Sequence, residues 1–473
     1  MSSDWDTIVI GAGPAGMAAA ATLAEGGART LLLDEQAEPG GQIYRAIERN
    51  RSKARLSAIL GPDYSRGAAL TERLRASGAS LRFSSTVWRV EPGAAVWSRT
   101  DGTVALDRAK ALVIATGAME RPVPLAGWTL PGVMTVGALQ ILLKTGGLVP
   151  SGKLVLAGTG PLFYLFARQC LDAGVEHLTL LDTARPGNIP AALPHLPRAF
   201  TGQGWRYLAK GAGLLAALTL GRVKLLRGVS DIAIEGEERA TAIRFRVRGT
   251  PHRFACDLIG LHEGVIPQQQ LPRSLGCAFD WNDAQSCFQP RRDLWGTSTL
   301  PGVFIAGDAG GIVGAEASRH EGDAAALAIL AELGRIAPAE RDARLRSIRQ
   351  ARDAHLSARP FLDRLYRPGA DLVAPPDPVT ICRCEAVCAG SLRQAVARGV
   401  LGPSQAKAFL RVGMGPCQGR LCGPSVTGLI ARETDRSEAE TGYYRVRDPI
   451  KPVTVGELAS ASQASASQRG DSR

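Results

Sequence analysis

The chain has 473 residues, 45% of them hydrophobic, with 54 glycines and a net charge of +12. This composition allows about two to four globular domains. The charge is mostly arginine, densest at Arg45, Arg49, Arg51, Lys53, Arg55 and at Arg341, Arg344, Arg346, Arg349, Arg352. With few aromatics between them these read as solvated helix faces, which argues against a nucleic-acid binder.

Nine unevenly spaced cysteines do not form a secreted disulfide framework, and no stretch reaches the roughly 18 apolar residues of a membrane span. The apolar run Ile8–Ile10 leads into a glycine turn rather than a signal-peptide cleavage site. A reducing, cytoplasmic location is expected, with access to the inner face of a membrane only through a partner.

Thr7–Ile10 reads as a strand, Gly11-Ala12-Gly13-Pro14-Ala15-Gly16 as a turn, Met17–Ala24 as a small-residue helix and Thr30–Leu33 as a strand ending in Asp34 and Glu35. This is a βαβ unit with an acid about 20 positions past the glycines, the pattern of a dinucleotide site. Gly11 allows the tight turn, Gly13 the approach of backbone N–H groups to a pyrophosphate, and Gly16 the packing of helix on strand. Asp34 would hold the adenosine ribose, with Glu35 as the neighbouring candidate. Gly40, Gly41 and Gln42 could approach a flavin or form an ordinary loop. Residues 80–112 alternate β-rich runs with turns and lead through the strand Leu112–Ala115 to Thr116 and Gly117.

A second βαβ unit places strand Leu154–Ala157 before Gly158 and Gly160, and strand Leu178–Leu181 before Asp182. It departs from the rule, because Phe163 stands where a third small residue should be. An ADP-containing ligand held for structure and NAD(P)H as a substrate both stay open. No C-x-x-C lies in this unit, which speaks against dithiol chemistry. Residues 186–220 are an insertion, rich in Pro and Gly and then helical, with Leu214–Leu220 read as part of a core helix.

The strand Pro301–Ala306 runs into Gly307 and Asp308. The Asp308 carboxylate could hold the ribityl chain or cap a helix beginning at Gly310. Glu316 and His320 share a helix face and are the nearby acid–base candidates, with solvated or capping roles as the alternative. A charged helix over 336–357 and a Pro-rich linker, Val373–Pro378, precede the last domain.

There Cys382 and Cys384 form C-x-C, and Cys417 and Cys422 form C-x-x-x-x-C among Gly413, Gly415, Gly419 and Gly423. C-x-C is a tight bite for one tetrahedral zinc, whereas a [2Fe–2S] cluster offers two irons that each take two thiolates. The cluster is the favoured reading. Cys388 is a spare, and Cys170, Cys256, Cys277 and Cys287 read as buried thiols.

The fold expected is α/β, with two Rossmann-like dinucleotide-binding domains, one inserted in the other, plus a small helical [2Fe–2S] domain. Its divisions are 1–120 with 290–335 for FAD, 121–289 for the insert, 336–379 for helix and linker, 380–437 for the cluster, and 438–473 for an extension with a tail disordered from about Ser460.

The glycine turns, Ala115-Thr116-Gly117 and Gly307-Asp308 resemble the two-dinucleotide-binding-domain flavoproteins. Ile381–Cys384 with Met414–Cys422 resembles the bacterioferritin-associated-ferredoxin type of [2Fe–2S] domain. Joined to Gly40–Arg45, Leu261–Pro267 and Tyr444–Pro452, these strings resemble the alpha subunits of opine oxidases, of D-hydroxyproline dehydrogenase and of the related hydrogen cyanide synthase. The resemblance implies an FAD- and [2Fe–2S]-containing electron-transfer subunit. Its partner would be a catalytic subunit related to glycine and D-amino-acid oxidases, with a downstream electron acceptor beyond. The competing readings are a self-contained NAD(P)H-dependent reductase and a nucleotide-binding structural subunit.

Overall fold

The flavin-type sheet grows from Asp4–Ile10, an apolar strand flanked in parallel by Thr30–Leu33 and by Val104–Ile114. Ser80–Arg82 extends one edge beyond Thr30–Leu33, and Val303–Ile305 pairs in parallel with the C-terminal half of Val104–Ile114. The N-terminal half of that long strand instead carries the antiparallel meander Ser85–Glu91 and Ala94–Arg99. The parallel part is the doubly wound arrangement whose strand ends receive a dinucleotide. The computed structural model describes residues 4–369 and 374–470, with side chains described to 463.

Helix Pro14–Glu25 is built of small residues because helix Ala315–Glu332 crosses it closely. A Cβ on Gly322 would stand 2.0 Å from the Ala15 carbonyl oxygen. The helix expected at Gly310 starts at Ala315; Gly307–Gly310 is a single tight turn.

The inserted domain has a five-stranded parallel sheet in the order Lys224–Arg227, Leu178–Asp182, Leu154–Thr159, Leu258–Glu263, Val133–Thr135. A meander of Val229–Glu235, Ala242–Val247 and Thr250–Ala255 lies beside it. The chain enters and leaves this domain through two paired strands, Ala118–Glu120 and Val265–Pro267. Leu271 and Cys277 already pack with Ile8 and Leu31 of the flavin sheet, so the insert closes before the expected residue 289.

One apolar cluster runs from Val9, Met17 and Leu74 to Leu139, Phe163 and Phe166 and joins the two domains. A polar network reinforces the joint. Lys144 Nζ donates to the Gln42 carbonyl at 2.9 Å, Asn50 Nδ2 donates to the Lys144 carbonyl at 2.7 Å, and Gln169 Nε2 donates to the Leu60 carbonyl at 3.3 Å.

Residues 186–220 are helical, as expected, but Gly204–Leu220 is no core helix. It buries Leu218 on one side and leaves Leu220 in solvent. Helices Pro338–Leu356 and Arg359–Leu365 follow, and Val373 of the expected linker lies outside the described residues.

The last domain is a hairpin of Thr380–Cys382 and Val387–Cys388 with four helices, Ala389–Ala397, Pro403–Leu410, Gly423–Glu433 and Glu438–Thr441. Its core is Ile381, Leu392, Val412, Val426, Leu429 and Ile430. The chain then returns to the flavin domain, where Val446 and Ile450 enter the core and Ile450 N–H donates to the Trp88 carbonyl at 2.9 Å.

The tail departs from the expected disorder. Val455–Gly470 is helical, with Ala461 buried against Trp88, Val96 and Leu106. Alanine-rich spacing and the Thr454–Glu457 cap, in which Glu457 N–H donates to Thr454 Oγ1 at 3.2 Å, outweigh the polar composition. Residues 471–473 lie outside the described residues.

Candidate functional site

The flavin-domain residues singled out by sequence surround one crevice at the strand ends. Gly11 has φ of +106°, and a Cβ there would stand 2.5 Å from the Ala115 carbonyl oxygen, just before Thr116. Gly16 packs its Cα on the Gly11 carbonyl, where a Cβ would stand 1.8 Å away. Gly41 lies over Gly13, with 2.7 Å from its absent Cβ to the Gly13 Cα, and Gly40 N–H donates to the Ala12 carbonyl at 2.8 Å. The loops Gly11–Gly13 and Gly40–Gln42 thus form one cradle with bare backbone facing inward.

Asp34 stands at its edge. Oδ2 accepts from Ala12 N–H at 2.5 Å and Oδ1 from Gln36 N–H at 2.7 Å, while burial pushes its carboxyl above the usual range. It therefore shapes the glycine loop, with both oxygens engaged by backbone N–H groups. Glu35 points away and pairs with Lys451.

Asp308 Oδ1 accepts from Val313 N–H at 2.8 Å and Gly314 N–H at 2.9 Å. Val313 and Gly314 precede the helix Ala315–Glu332, which takes no side-chain cap, so Asp308 ties down the loop leading into that helix and the expected capping role is not seen. Burial raises its carboxyl above the usual range.

Three polar groups suit an absent anionic, hydrogen-bonding guest. Arg45 is buried, with Nε lacking any hydrogen-bond partner, and Thr116 Oγ1 is likewise buried and unpartnered. Lys144 is buried beside the Gln42 carbonyl, and burial holds its ammonium down at about 7. Lys144 Nζ already donates to the Gln42 carbonyl and to Gln140 Oε1, but Arg45 Nε and Thr116 Oγ1 are unpaired among the described residues, which is costly unless a ligand answers them. The cradle and its donors fit FAD, with the pyrophosphate against the glycine loop. In the sequence Arg45 reads as one more solvated arginine, and Lys144 carries no signal at all. The only hint for Arg45 is its place in Gly40-Gly41-Gln42-Ile43-Tyr44-Arg45.

In the inserted domain, Gly158 and Gly160 have positive φ, and Phe163 is fully buried in the shared core. Asp182 is already engaged: Oδ2 accepts from the Tyr164 hydroxyl at 2.7 Å and Oδ1 from Ala184 N–H at 2.9 Å. A cavity of about 200 Å³ remains between Thr183–Pro186, Gly228–Ile232 and Glu263.

Glu263 Oε1 accepts from Thr183 Oγ1 at 2.6 Å, and burial pushes its carboxyl up to about 7 from an ordinary 4.5. The folded state then keeps a proton that the unfolded chain has released, so stability falls as pH rises from 4.5 to about 7. Glu263→Gln keeps an acceptor for Thr183. It is expected to flatten that window in urea midpoints and to stabilise the protein above it by roughly 2–3 kcal/mol at most.

The four late cysteines come together in two pairs. Cys422 and Cys382 share a hydrogen bond that holds Cys382 down at about 6 and Cys422 well above the ordinary thiol range, and Cys384 pairs with Cys417. Backbone N–H groups of Gly413, Glu385 and Cys384 also face the Cys382 sulfur. A Cβ on Gly415 would stand 2.2 Å from the Cys384 Cβ, and Cβ atoms on Gly413 and Gly419 would strike the Tyr444 ring at 2.6 and 2.5 Å. The glycines therefore let the loop close around the thiols under a buried tyrosine.

Thiols paired two by two, with backbone N–H groups toward sulfur, fit a [2Fe–2S] cluster. Cys388 stands apart, 3.2 Å from Ser391 Oγ, and Cys170, Cys256, Cys277 and Cys287 are buried as expected.

The cluster domain is fastened to the rest at several points. Trp128 Nε1 donates to the Thr380 carbonyl at 2.7 Å, and the Arg273 guanidinium lies 4.2 Å from the Tyr443 ring centre and 3.9 Å from that of Phe279. Arg420, between Cys417 and Cys422, acts electrostatically on Glu35. Glu316 and His320 do lie on one helix, but His320 stacks on His355 at 5.9 Å and the two carry no paired acid–base contact. Among the described residues no helix is long and apolar enough to cross a membrane.

Comparison with known proteins agrees with this architecture. Residues 5–188 match the pyridine nucleotide-disulphide oxidoreductase family and residues 380–432 the BFD-like [2Fe–2S] binding domain. The chain is 51% identical to the alpha (A) subunit of opine oxidase from Rhizobium meliloti over 96% of its length and 98% of that protein. It is 33% identical to the HcnB subunit of hydrogen cyanide synthase from Pseudomonas aeruginosa, over 94% and 96%. The fold matches a crystal structure of L-proline dehydrogenase from P. horikoshii with a TM-score of 0.68 at 19% identity, over 97% of this chain and 80% of that one. FAD and a [2Fe–2S] cluster are the cofactors of these two domain types. The chain belongs to the family of opine oxidase alpha subunits, and it is an FAD-dependent oxidoreductase subunit.

Proposed function

We propose that the chain is the electron-transfer subunit of a heteromeric amine or imino-acid dehydrogenase of opine or hydroxyproline type. A catalytic subunit related to glycine and D-amino-acid oxidases would dehydrogenate the C–N bond, and this chain would pass the electrons to a respiratory or artificial acceptor. FAD accepts electrons in pairs and a [2Fe–2S] cluster releases them singly.

The protein's own residues supply the setting. Bare backbone at Gly11, Gly13 and Gly41 receives the pyrophosphate, Arg45 offsets its charge, and Asp308 orients the ribityl chain. Lys144 holds the Gln42 loop against the flavin position. Cys382, Cys384, Cys417 and Cys422 hold the cluster, with Tyr444 keeping water from Cys422; its hydroxyl lies 3.5 Å from that sulfur.

The observation that carries the reading is the prior engagement of Asp182 in the second nucleotide site, beside which a cavity remains. With Asp182 bound to Tyr164 and Phe163 in the core, the inserted domain offers a nicotinamide donor a poor ribose contact. Electrons then enter from another protein, in keeping with the subunit names of the relatives. The cavity beside Thr183 and Glu263 favours a second reading for that domain, retention of an ADP-type ligand as a structural group.

A visible spectrum of the isolated chain tests the proposal. Stoichiometric NADH is expected to leave the flavin bands in place, and rapid bleaching would favour a self-contained NAD(P)H-dependent reductase.

A further inference from the structure

We propose that the insertion of residues 186–220, together with the arginine-lined cavity at its foot, is the surface on which the catalytic subunit docks, through an acidic patch of that subunit. This rests on the function proposed above. The cavity measures about 720 Å³. Its inner wall holds Pro14, beside the glycine loop, with Tyr44 and Ala315, the first residue of the helix that follows the Asp308 turn. Its outer wall holds Gln203 and Arg206 of the insertion with His355. The cavity therefore reaches from Pro14, next in sequence to the glycine loop, to the insertion.

That face is built to be covered. Phe200 is 62% exposed and Trp205 49%, with Ile189 and Leu193 also more than half exposed on the preceding turns. Helix Gly204–Leu220 is anchored from behind, where Tyr207 and His355 share a 2.8 Å hydrogen bond and Lys210 Nζ donates to Asp63 at 2.5 Å. Trp205 points outward, with the Arg206 guanidinium 5.5 Å from its ring. Exposed tryptophan and arginine on this helix, with exposed phenylalanine on the turn before it, are what interface anchors are made of.

Charge selects the partner's chemistry. Arg73 is tied to Glu25 and Asp323 and Arg66 to Asp63, but Arg206 and Arg319 have no ion-pair partner among the described residues. With Asp323 tied to Arg73, Glu316 is the one other carboxylate among the cavity's lining residues, so Arg206 and Arg319 leave a net positive charge that matches carboxylates on the incoming surface. The docked subunit would close the cavity and place its own redox centre toward the cradle.

The test uses the full chain co-expressed with an oxidase-like catalytic subunit of the class proposed above. Phe200→Ser with Trp205→Ser, and separately Arg206→Glu, are expected to weaken the complex at least tenfold while flavin, iron and melting temperature of the free chain stay unchanged. Phe409→Ser, at an apolar residue 75% exposed on the cluster domain, should leave assembly intact. Salt should loosen the wild-type complex more than the Arg206→Glu one. Wild-type affinity in both insertion variants would overturn the docking surface and leave the proposed function standing. A wild-type chain that binds no such subunit would overturn both.

Discussion

Cys422→Ser is expected to reduce iron and acid-labile sulfide from about two of each per chain to near zero, with the flavin retained. Cys422 is almost fully buried, hydrogen-bonded to Cys382 and covered by Tyr444. A serine oxygen there is a hard, protonated donor where a soft thiolate is needed. The loss should spread beyond one ligand, because a small domain that closes around a metal centre draws folding energy from it. Limited proteolysis should then cut within residues 380–437 while the flavin domain resists. Cys388→Ser, outside both thiol pairs, should keep the full iron content. Metal and sulfide analysis of the two variants side by side reads the difference. Equal iron in both would remove Cys422 from the ligand set.

Asp34→Ala carries the second large effect, an expected loss of at least tenfold in flavin retention. Its carboxylate holds Ala12 and Gln36 N–H groups at 2.5 and 2.7 Å, so alanine leaves two inward donors without acceptors and frees the loop bearing Gly11 and Gly13. Each orphaned donor costs roughly 1–3 kcal/mol. The variant should thus release flavin on gel filtration and melt earlier, while the cluster spectrum persists in its separate domain. Asp34→Asn, which keeps one acceptor, should fall between. Glu35 cannot take over, since Lys451 already engages it. Unchanged flavin content in Asp34→Ala would place the ribose contact elsewhere.

Both effects trace to residues that the sequence singles out, because tight turns and thiolate ligands leave strong local signatures. Gly11, Gly13 and Gly16 lie between an apolar strand and a small-residue helix, and no other residue type tolerates the 1.8 Å approach at Gly16. The cysteine spacing marks the four thiols but not their pairing, since the fold sets Cys382 beside Cys422 and Cys384 beside Cys417, one from each motif. What stays hidden depends on tertiary context. Arg45 and Lys144 have the composition of surface cations and become buried only when the inserted domain closes on the loop that follows Gly41. Asp182 reads as a ribose ligand, since nothing local shows that Tyr164, in the first turn of helix Pro161–Asp172, would bind it. The end of the insert is misplaced in the sequence reading because Leu271 and Cys277 look alike in either core. The tail reads as polar and disordered until the apolar ledge of Trp88, Val96 and Leu106 is on hand to bury Ala461.

A division of labour between this chain and a catalytic partner is tested most directly by substrate-dependent reduction of an artificial electron acceptor. The isolated chain, replete in flavin and iron, is expected to show no activity with opine-like or proline-like substrates. The same chain purified with its oxidase-like partner is expected to reduce the acceptor when one of those substrates is added, and the Cys422→Ser complex to lose that reduction. Dehydrogenation of an amine by the isolated chain would contradict the account and make this chain the catalytic subunit.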